Sequence, residues 1–509
     1  MTRNKLILII GIIVGVIGLL VIGKQFFVKQ EVLPEFFPVS GQQTSDWPQL
    51  GHDAQRSNYT PESVGQYCSC TFTDYEQGKC GSRCHWEYEW VWQVPNKDCP
   101  VAIRTQPVVA EGVVAIGTHE GKMYCLDFAT GQEKWSFQTG GAILHSAAID
   151  NGRVYFGSHD GWIYAINIDN GQLAWSYKTG LGIVAAPLVV NHNVYIGSKD
   201  SYFYALKGDS GSLIWKTKIG EPVTTSAVYS ANAQKIFFGT TAVRVYGLDI
   251  ANGSVIWTRQ LNGQSMQEAW PQVSEKHNLV IFRVLSSYDM WNNIGHAGRD
   301  IEKIFPNGQA GSLESEQEAI SQYLINNPHR RTFYALKTND GSDRYSKPVP
   351  VLWTWGVSST MHAQAIDDEH DQTWAVWRSL IMPTRDTVDT GLLDLATGRF
   401  KDHLKWGYID TWGLIQSGIP ADEPRPISAA ADTWFTAQSF GPSGCYLADG
   451  SCFTTLKVGG WMEFHDDPED KNWQGMWLKS WIRGQVAPIW TNGRLLWNGH
   501  GGIGCLKQK

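Results

Sequence analysis

The sequence lacks any concentrated positive charge. It has 42 Lys and Arg against 49 Asp and Glu in 509 residues, a formal net charge of −7, and no basic block. A protein that binds nucleic acid by neutralising phosphates needs a basic patch or stripe. The composition therefore excludes this class of function.

Charged residues are scarce as a whole, at 18%, and methionine occurs only 8 times. Glycine and tryptophan are abundant instead, with 52 and 24 residues, and 42% of the chain is hydrophobic. This is too apolar for a disordered chain. Many glycines together with many aromatic residues are typical of short strands joined by tight turns. The composition favours an all-β fold.

The N-terminus contains one long apolar run, Leu6–Gly23, of 18 uncharged residues. That length approaches what a helix needs to cross a bilayer core. A cleaved signal peptide is the alternative, but no small-residue cleavage site follows the run. We expect an uncleaved signal anchor in residues 1–29 and a tether in residues 30–45. Arg3 and Lys5 precede the run, so the positive-inside rule predicts a cytoplasmic N-terminus and an extracytoplasmic remainder.

An internal repeat of about forty residues occupies the first half of the remaining chain. Four segments align without gaps: 113–135, 153–175, 193–215 and 235–257. Their shared glycines, spaced by 40, 40 and 42 residues, are Gly117, Gly157, Gly197 and Gly239. The tryptophans that end the segments have the same spacing and are Trp135, Trp175, Trp215 and Trp257. Repetition at this period indicates a propeller or a solenoid.

Each repeat has the pattern of a β-propeller blade. Short apolar runs with a period of two are joined by tight turns such as H-D-G, as hairpins require. Weaker copies continue to the C-terminus, interrupted by a polar, partly helical-looking insertion within residues 287–331. The last copy is not followed by a strand that carries the repeat tryptophan. The segment WEYEWVWQV (86–94), upstream of the first repeat, has the pattern of such a strand. We therefore expect the N-terminal strand to complete the last blade of an eight-bladed propeller over residues 46–509, with seven blades as the alternative.

These segments resemble the pyrroloquinoline-quinone-like (quinoprotein-type) propeller repeat, VYxGSxDGxxYALDxxTGxxxW. The segment DWPQLGHDAQRSNYTP (46–61) also resembles the lead-in that precedes such propellers. The family includes quinone-dependent alcohol dehydrogenases and the cofactor-free propeller of the outer-membrane assembly machinery. This sequence has no adjacent Cys pair of the kind that the alcohol dehydrogenases place over the quinone. Nor does it match their Ca²⁺-ligand and catalytic Asp motifs, so the resemblance is closer to the cofactor-free type.

The repeat alignment also predicts which residues surround the propeller axis. Gln106, Ser146, Ala186 and Ser226 fall at one position, 40 residues apart. The residues that would rim a central funnel include Arg104, His145, Glu268 and His362 as weak candidates for a cofactor or small-ligand site. The alternative is a channel without a ligand. We expect no cofactor, with quinone plus Ca²⁺ or haem c as the less favoured readings.

Five of the nine cysteines lie in the insert 66–99: Cys68, Cys70, Cys80, Cys84 and Cys99. In an oxidising compartment such a cluster predicts a loop held by disulfides of undetermined connectivity. Four of these thiols with His85 also suit a Zn²⁺ site, and Cys80–His85 resembles a haem c attachment with one extra residue. Cys445 and Cys452 flank a turn and predict a local disulfide. Cys125 and Cys505 are expected to be buried thiols.

The sequence as a whole therefore predicts an extracytoplasmic scaffold, anchored through residues 6–23, that binds or assembles protein partners without catalysis. A quinone-dependent dehydrogenase is one alternative. An electron-transfer subunit with haem at Cys80–His85 is the other.

Overall fold

A computed structural model describes 46–60, 62–64, 86–96, 101, 105–263, 265–266, 270–284, 304–305, 312–351, 364–379, 388–402, 427–431, 433–438, 441–446, 452–454, 488–499 and 502–508. Within these residues the chain forms eight antiparallel sheets, of which seven have four strands and one has three. The predicted all-β propeller architecture of four-stranded antiparallel sheets is confirmed. Among the described helices, none has the length and apolar character to cross a membrane. The predicted span 6–23 lies outside the described residues.

The first strands are short and regular because alternating β-branched and aromatic residues fit a pleated sheet. They are β1 (Trp86–Gln93), β2 (Val108–Ala110), β3 (Val113–Gly117), β4 (Lys122–Asp127), β5 (Glu133–Gln138), β6 (Ala148–Asp150), β7 (Arg153–Gly157), β8 (Trp162–Asn167), β9 (Leu173–Lys178), β10 (Leu188–Val190), β11 (Asn193–Gly197), β12 (Tyr202–Lys207), β13 (Leu213–Lys218), β14 (Val228–Ser230), β15 (Lys235–Gly239), β16 (Arg244–Asp249) and β17 (Val255–Gln260). Strands β2–β5, β6–β9, β10–β13 and β14–β17 make sheets 1 to 4, each in sequence order.

The second half repeats this arrangement around longer connections. Its strands are β18 (Gln272–Ser274), β19 (Leu279–Arg283), β20 (Phe333–Lys337), β21 (Ile366–Asp367), β22 (Gln372–Ser379), β23 (Val388–Asp394), β24 (Arg399–Asp402), β25 (Ile427–Ala429), β26 (Thr433–Gln438), β27 (Gly441–Tyr446), β28 (Cys452–Thr454), β29 (Ile489–Thr491), β30 (Arg494–Gly499) and β31 (Gly502–Gln508). Strands β18–β20, β21–β24 and β25–β28 make sheets 5 to 7. Sheet 8 has the order β1-β31-β30-β29.

Sheet 8 combines the two halves of the sequence. Its outermost strand β1 pairs antiparallel with β31, from Trp86 opposite Gln508 to Gln93 opposite Gly502. An N-terminal strand thus completes the sheet made by the C-terminal strands, as the sequence predicts. This pairing covers a sheet edge that would otherwise be open to other chains.

One helix interrupts the β architecture. Helix α1 (Leu313–Asn326) begins at Ser312, whose side chain accepts a hydrogen bond from the Ser315 N–H. Its Ile320 and Leu324 are buried in the cluster that holds sheets 5 and 6 together. A 3₁₀ turn, Pro328–Arg330, follows it. The helix occupies the part of the insertion whose sequence looked helical.

Neighbouring sheets are locked by the repeated tryptophans. The Trp135 indole donates to the Ile168 carbonyl at 2.7 Å and lies over Gly171, where a Cβ would come within 2.7 Å of the ring. The same contact recurs around the sheets with Trp175 on Gly211, Trp215 on Gly253, Trp257 on Gly341 and Trp90 of β1 on Gly131. The repeated tryptophans therefore pack between neighbouring sheets.

The repeat glycines that end β3, β7 and β11 also have a local structural cause. A Cβ on Gly157 would lie 2.3 Å from the Ile183 Cγ2, in the loop that leads to the next sheet. The same close approach brings Ile143 onto Gly117 and Val223 onto Gly197. The repeat therefore needs glycine here for space between sheets.

We predict that Gly157→Ala destabilises the protein by about 1–3 kcal/mol, since overpacking a filled core forces displacement. Urea unfolding measures the change. In an Ile183→Ala background the same substitution should cost less than half as much, because the obstructing side chain is gone. An equal cost in both backgrounds would show that the glycine serves another purpose.

Candidate functional site at the convergence of the sheets

The lead-in segment, together with Glu62, contacts all eight sheets. We call residues 46–60 the hub segment. Trp47 pairs with Val109 of β2 through backbone hydrogen bonds of 2.6 and 2.8 Å. Gln49 accepts from the Val189 N–H of sheet 3 at 3.1 Å. Backbone carbonyls accept amides of five further sheets: Pro48 from Ile149, Ala54 from Tyr229, Gln55 from Val273, Ser57 from Ile366 and Asn58 from Ala429.

Sheet 8 is reached just beyond the hub segment, where the Glu62 carboxylate accepts from the Gly493 N–H at 2.5 Å. The contacts follow chain order from sheet 1 to sheet 8, always at or beside the innermost strand. One short segment thus runs around the place where the sheets converge.

Local hydrogen bonds shape this segment. The Asp53 carboxylate accepts from the Ser57 N–H at 2.9 Å and from the Ser57 hydroxyl. His52 and Arg56 have positive φ angles of 78° and 55°. Side chains rarely adopt this backbone conformation unless the surroundings compel it. At Gly51 a Cβ would lie 3.0 Å from the Arg56 Cα, so a glycine permits the close turn.

Arg56 is the buried centre of the hub segment. Its side chain is fully buried and donates from Nε to the Ala227 carbonyl at 3.0 Å and from Nη2 to the Pro187 carbonyl at 3.1 Å. Nη1 donates to Leu50. Burial lowers the pKa of Arg56 to about 9, while the charge of Asp53 acts in the opposite direction. Three carbonyls from three parts of the chain are therefore tied to one guanidinium.

The axial positions given by the repeat alignment do meet. The Gln106 N–H donates to the Ser146 hydroxyl, and the Ala186 N–H donates to the Ser226 hydroxyl, both at 2.9 Å. The Gln106 side chain in turn accepts from the Trp47 indole at 3.1 Å. All four residues are buried, as are Trp270, Gln364 and Ser428. At this level the convergence of the sheets is filled by side chains.

His145 is the one residue of the predicted ligand constellation that the structure describes. Its Nδ1 accepts from the Ser146 N–H at 3.0 Å, and its Nε2 lies 3.2 Å from the Ser226 hydroxyl. Its ring meets the edge of Trp270 at a centroid distance of 6.0 Å. His145 is thus buried among three sheets. Arg104, Glu268 and His362 lie outside the described residues, so the proposed constellation stays a prediction.

Arg283 is a buried charge that sequence reasoning missed. It is 1% exposed and donates from Nη1 to the Gln272 side chain at 2.7 Å. Burial lowers the pKa of Arg283 to about 9. The signal was available, because Arg283 ends β19 where β3, β7, β11 and β15 end in the repeat glycine. The weak similarity of the fifth repeat concealed it.

The cysteines divide into three groups. Cys125 and Cys505 are buried free thiols, and burial raises the pKa of each to about 12, as expected of small core residues. Cys445 and Cys452 are direct register partners of β27 and β28. Backbones of such partners lie within reach of a disulfide, which stays a prediction here.

The third group lies outside the described residues. It contains Cys68, Cys70, Cys80, Cys84 and Cys99, together with His85, so neither the disulfide nor the zinc or haem reading is tested. Within the described ranges no three His, Cys, Asp or Glu side chains group in a way that would hold a metal ion.

Comparison with known proteins identifies the repeats. A family model described as "Outer membrane protein assembly factor BamB" matches residues 89–234 and 182–283. Residues 89–283 carry PQQ-like β-propeller repeats. No curated protein matches its sequence.

Solved structures are similar to this chain at low sequence identity. A quinohemoprotein alcohol dehydrogenase from Pseudomonas putida HK5 matches with 11% identity and a TM-score of 0.52, over 91% of this chain and 80% of that chain. BamB from Moraxella catarrhalis matches with 14% identity and a TM-score of 0.41, over 69% of this chain and 82% of that chain. The computationally designed Ika8 protein matches with 12% identity and a TM-score of 0.49, over 82% and 98%. Such identities speak to fold alone.

We predict that Arg56→Met destabilises the protein by about 3 kcal/mol or more, because buried carbonyls lose their donors. Arg153→Met is the matched control. Its guanidinium donates to one carbonyl, that of Gly208, from a partly exposed position, and its loss should cost about 1 kcal/mol or less. Urea unfolding of both variants distinguishes them, and equal losses would contradict a central role for Arg56.

Proposed function

We propose that this protein is a membrane-anchored, extracytoplasmic, eight-bladed propeller that acts as a protein-binding or assembly scaffold. The apolar run Leu6–Gly23 supports the anchor, and the eight described sheets support the blade count. The match to a family described by an outer-membrane assembly factor supports a scaffolding role. Fold alone does not determine function, so the proposal depends on a surface feature.

That feature is a row of exposed apolar side chains on three neighbouring outer strands. We call it the outer row: Leu173 of β9, Leu213 and Ile214 of β13, and Val255 and Ile256 of β17. These side chains are between 39% and 47% exposed. They occupy the first and second positions of equivalent strands. Isolated exposed apolar residues are ordinary, whereas a repeated set on adjacent elements indicates an interaction surface.

Sheet 1 shows that the repeat does not require apolar residues here. Its equivalent positions at the start of β5 are Glu133 and Lys134, both exposed. The strand pairs equally well with its neighbour, in the same bulged register as the other outer strands. The apolar side chains of sheets 2 to 4 therefore add nothing that the strand needs for pairing.

The outer row also lies on strands that end their sheets. In the strand orders of sheets 2, 3 and 4, strands β9, β13 and β17 are terminal. A terminal strand offers backbone donors and acceptors to an added strand of a partner, and alternate side chains give such pairing its specificity. Apolar side chains on strands that are terminal among the described residues suit a protein partner better than a small ligand.

The dehydrogenase and electron-transfer alternatives depend on other residues. The funnel candidates Arg104, Glu268 and His362 and the segment Cys80–His85 lie outside the described ranges. Within those ranges no observation favours either alternative over the scaffold.

Photo-cross-linking in the native membrane tests the proposal. A photoreactive residue at Ile214 or Ile256 should give one discrete protein adduct, and at Lys134 none. Ile214→Lys with Ile256→Lys should reduce the adduct formed from position 213 at least tenfold, because burying a charge against an apolar partner surface is costly. Lys134→Glu is the control.

Stability should change by less than about 0.5 kcal/mol in these variants, since the positions are exposed. Adducts of equal yield at positions 134 and 214, or none at all, would contradict the proposal.

A further inference from the structure

Arg283 stands where sheets 1 to 4 have a glycine. In those sheets a side chain from the following loop fills the space above the glycine. The nearest atoms lie 2.2–2.8 Å from a Cβ built at Gly117, Gly157, Gly197 or Gly239. Sheet 5 places a guanidinium at this position instead. A buried, charged side chain is unfavourable unless its donors are bound, so its hydrogen-bond partners have to be accounted for.

Of the three guanidinium nitrogens of Arg283, one makes a hydrogen bond to a described residue and two do not. Nη1 donates to the Gln272 carboxamide, whose Nε2 is bound to the carbonyls of Arg56 and Gln364 at 2.7 and 2.6 Å. The guanidinium carbon lies 5.3 Å from the centroid of Phe333. Among the residues that the structure describes, neither Nε nor Nη2 of Arg283 has a hydrogen-bond acceptor.

This arrangement is costly for an isolated protein. A buried cation without a paired anion carries a penalty of several kcal/mol. Burial is also the cause of its lowered pKa, and no carboxylate among the described residues acts in the opposite direction. Arg56, which is equally buried, differs in having all three of its donor nitrogens bound and Asp53 nearby.

The two unused nitrogens have a specific geometry. Nε–H and Nη2–H point in parallel from one edge of the planar guanidinium and match the two oxygens of a carboxylate or phosphate. A second unused donor lies nearby in sequence. The Trp270 indole Nε1, 3% exposed and two residues before Gln272, has no acceptor among the described residues. Both groups donate, so the missing partner is an acceptor.

We propose that Arg283 binds a small ligand through a carboxylate or phosphate group, held bidentate by Nε and Nη2 beside Phe333. The site lies where sheets 5 and 6 meet the hub segment. It is separate from the outer row and does not depend on the scaffold proposal.

Thermal unfolding of the full-length chain tests this proposal with succinate and inorganic phosphate as probes and chloride at equal ionic strength as the control. At least one probe should raise the wild-type Tm saturably, while chloride does not. Arg283→Gly installs the residue of four sister strands and should fold with unchanged or greater basal stability, yet lose the shift. Arg283→Lys keeps the positive charge but lacks the two parallel N–H groups of the guanidinium. This variant should bind the probe at least tenfold more weakly than the wild type.

A shift with succinate alone identifies a carboxylate ligand, and a shift with phosphate alone identifies a phosphorylated one. The proposal is overturned if neither probe raises the wild-type Tm, or if Arg283→Gly retains the full shift.

Discussion

The structure depends on the hydrogen bonds between the hub segment and the innermost strands. In a repeat protein each unit contacts only its neighbours, so stability is a sum of local terms. Here residues 46–60, with Glu62, bond to every described sheet in turn. A separation of any two sheets must therefore break contacts at the centre as well as between the sheets. Arg56 reinforces this by joining the carbonyls of Leu50, Pro187 and Ala227.

At the periphery, neighbouring sheets are joined by side-chain packing instead of by the hub segment. These contacts involve few of the residues on the outer strands. Tryptophans of the outer strands lie on turn glycines of the next sheet, and β1 supplies the tryptophan of sheet 8. In sheets 1 to 4 the outer strand buries this one ring and exposes the two residues before it. Those flanking positions can therefore vary from Glu133 and Lys134 to the apolar outer row at little structural cost. A centre held by many hydrogen bonds, with variable residues at the edge, suits the scaffold role that we propose.

The repeated part of the fold was predictable from the sequence because its determinants are local. Gly157 and Trp135 make contacts between adjacent repeats. Each of them recurs in the sequence about every forty residues. The role of the hub segment was not predictable from the sequence, because its contacts join residues that are far apart in the chain, such as Ser57 and Ile366. The contact of His145 with Ser226, two repeats away, was likewise not predictable, because it joins parts of the chain that are distant in sequence. Arg283 was missed because it lies in the repeat that diverges most.

Hydrogen exchange of the amides that bond to the hub segment tests whether this segment holds the sheets together. The N–H groups of Val109, Ile149, Tyr229, Val273 and Ile366 belong to five sheets. If the hub segment ties the sheets together, these amides exchange slowly, with one common free energy of opening that equals that of global unfolding. If their opening free energies differ, or are lower than those of amides at the middle of each sheet, the hub segment detaches locally and does not hold the sheets together.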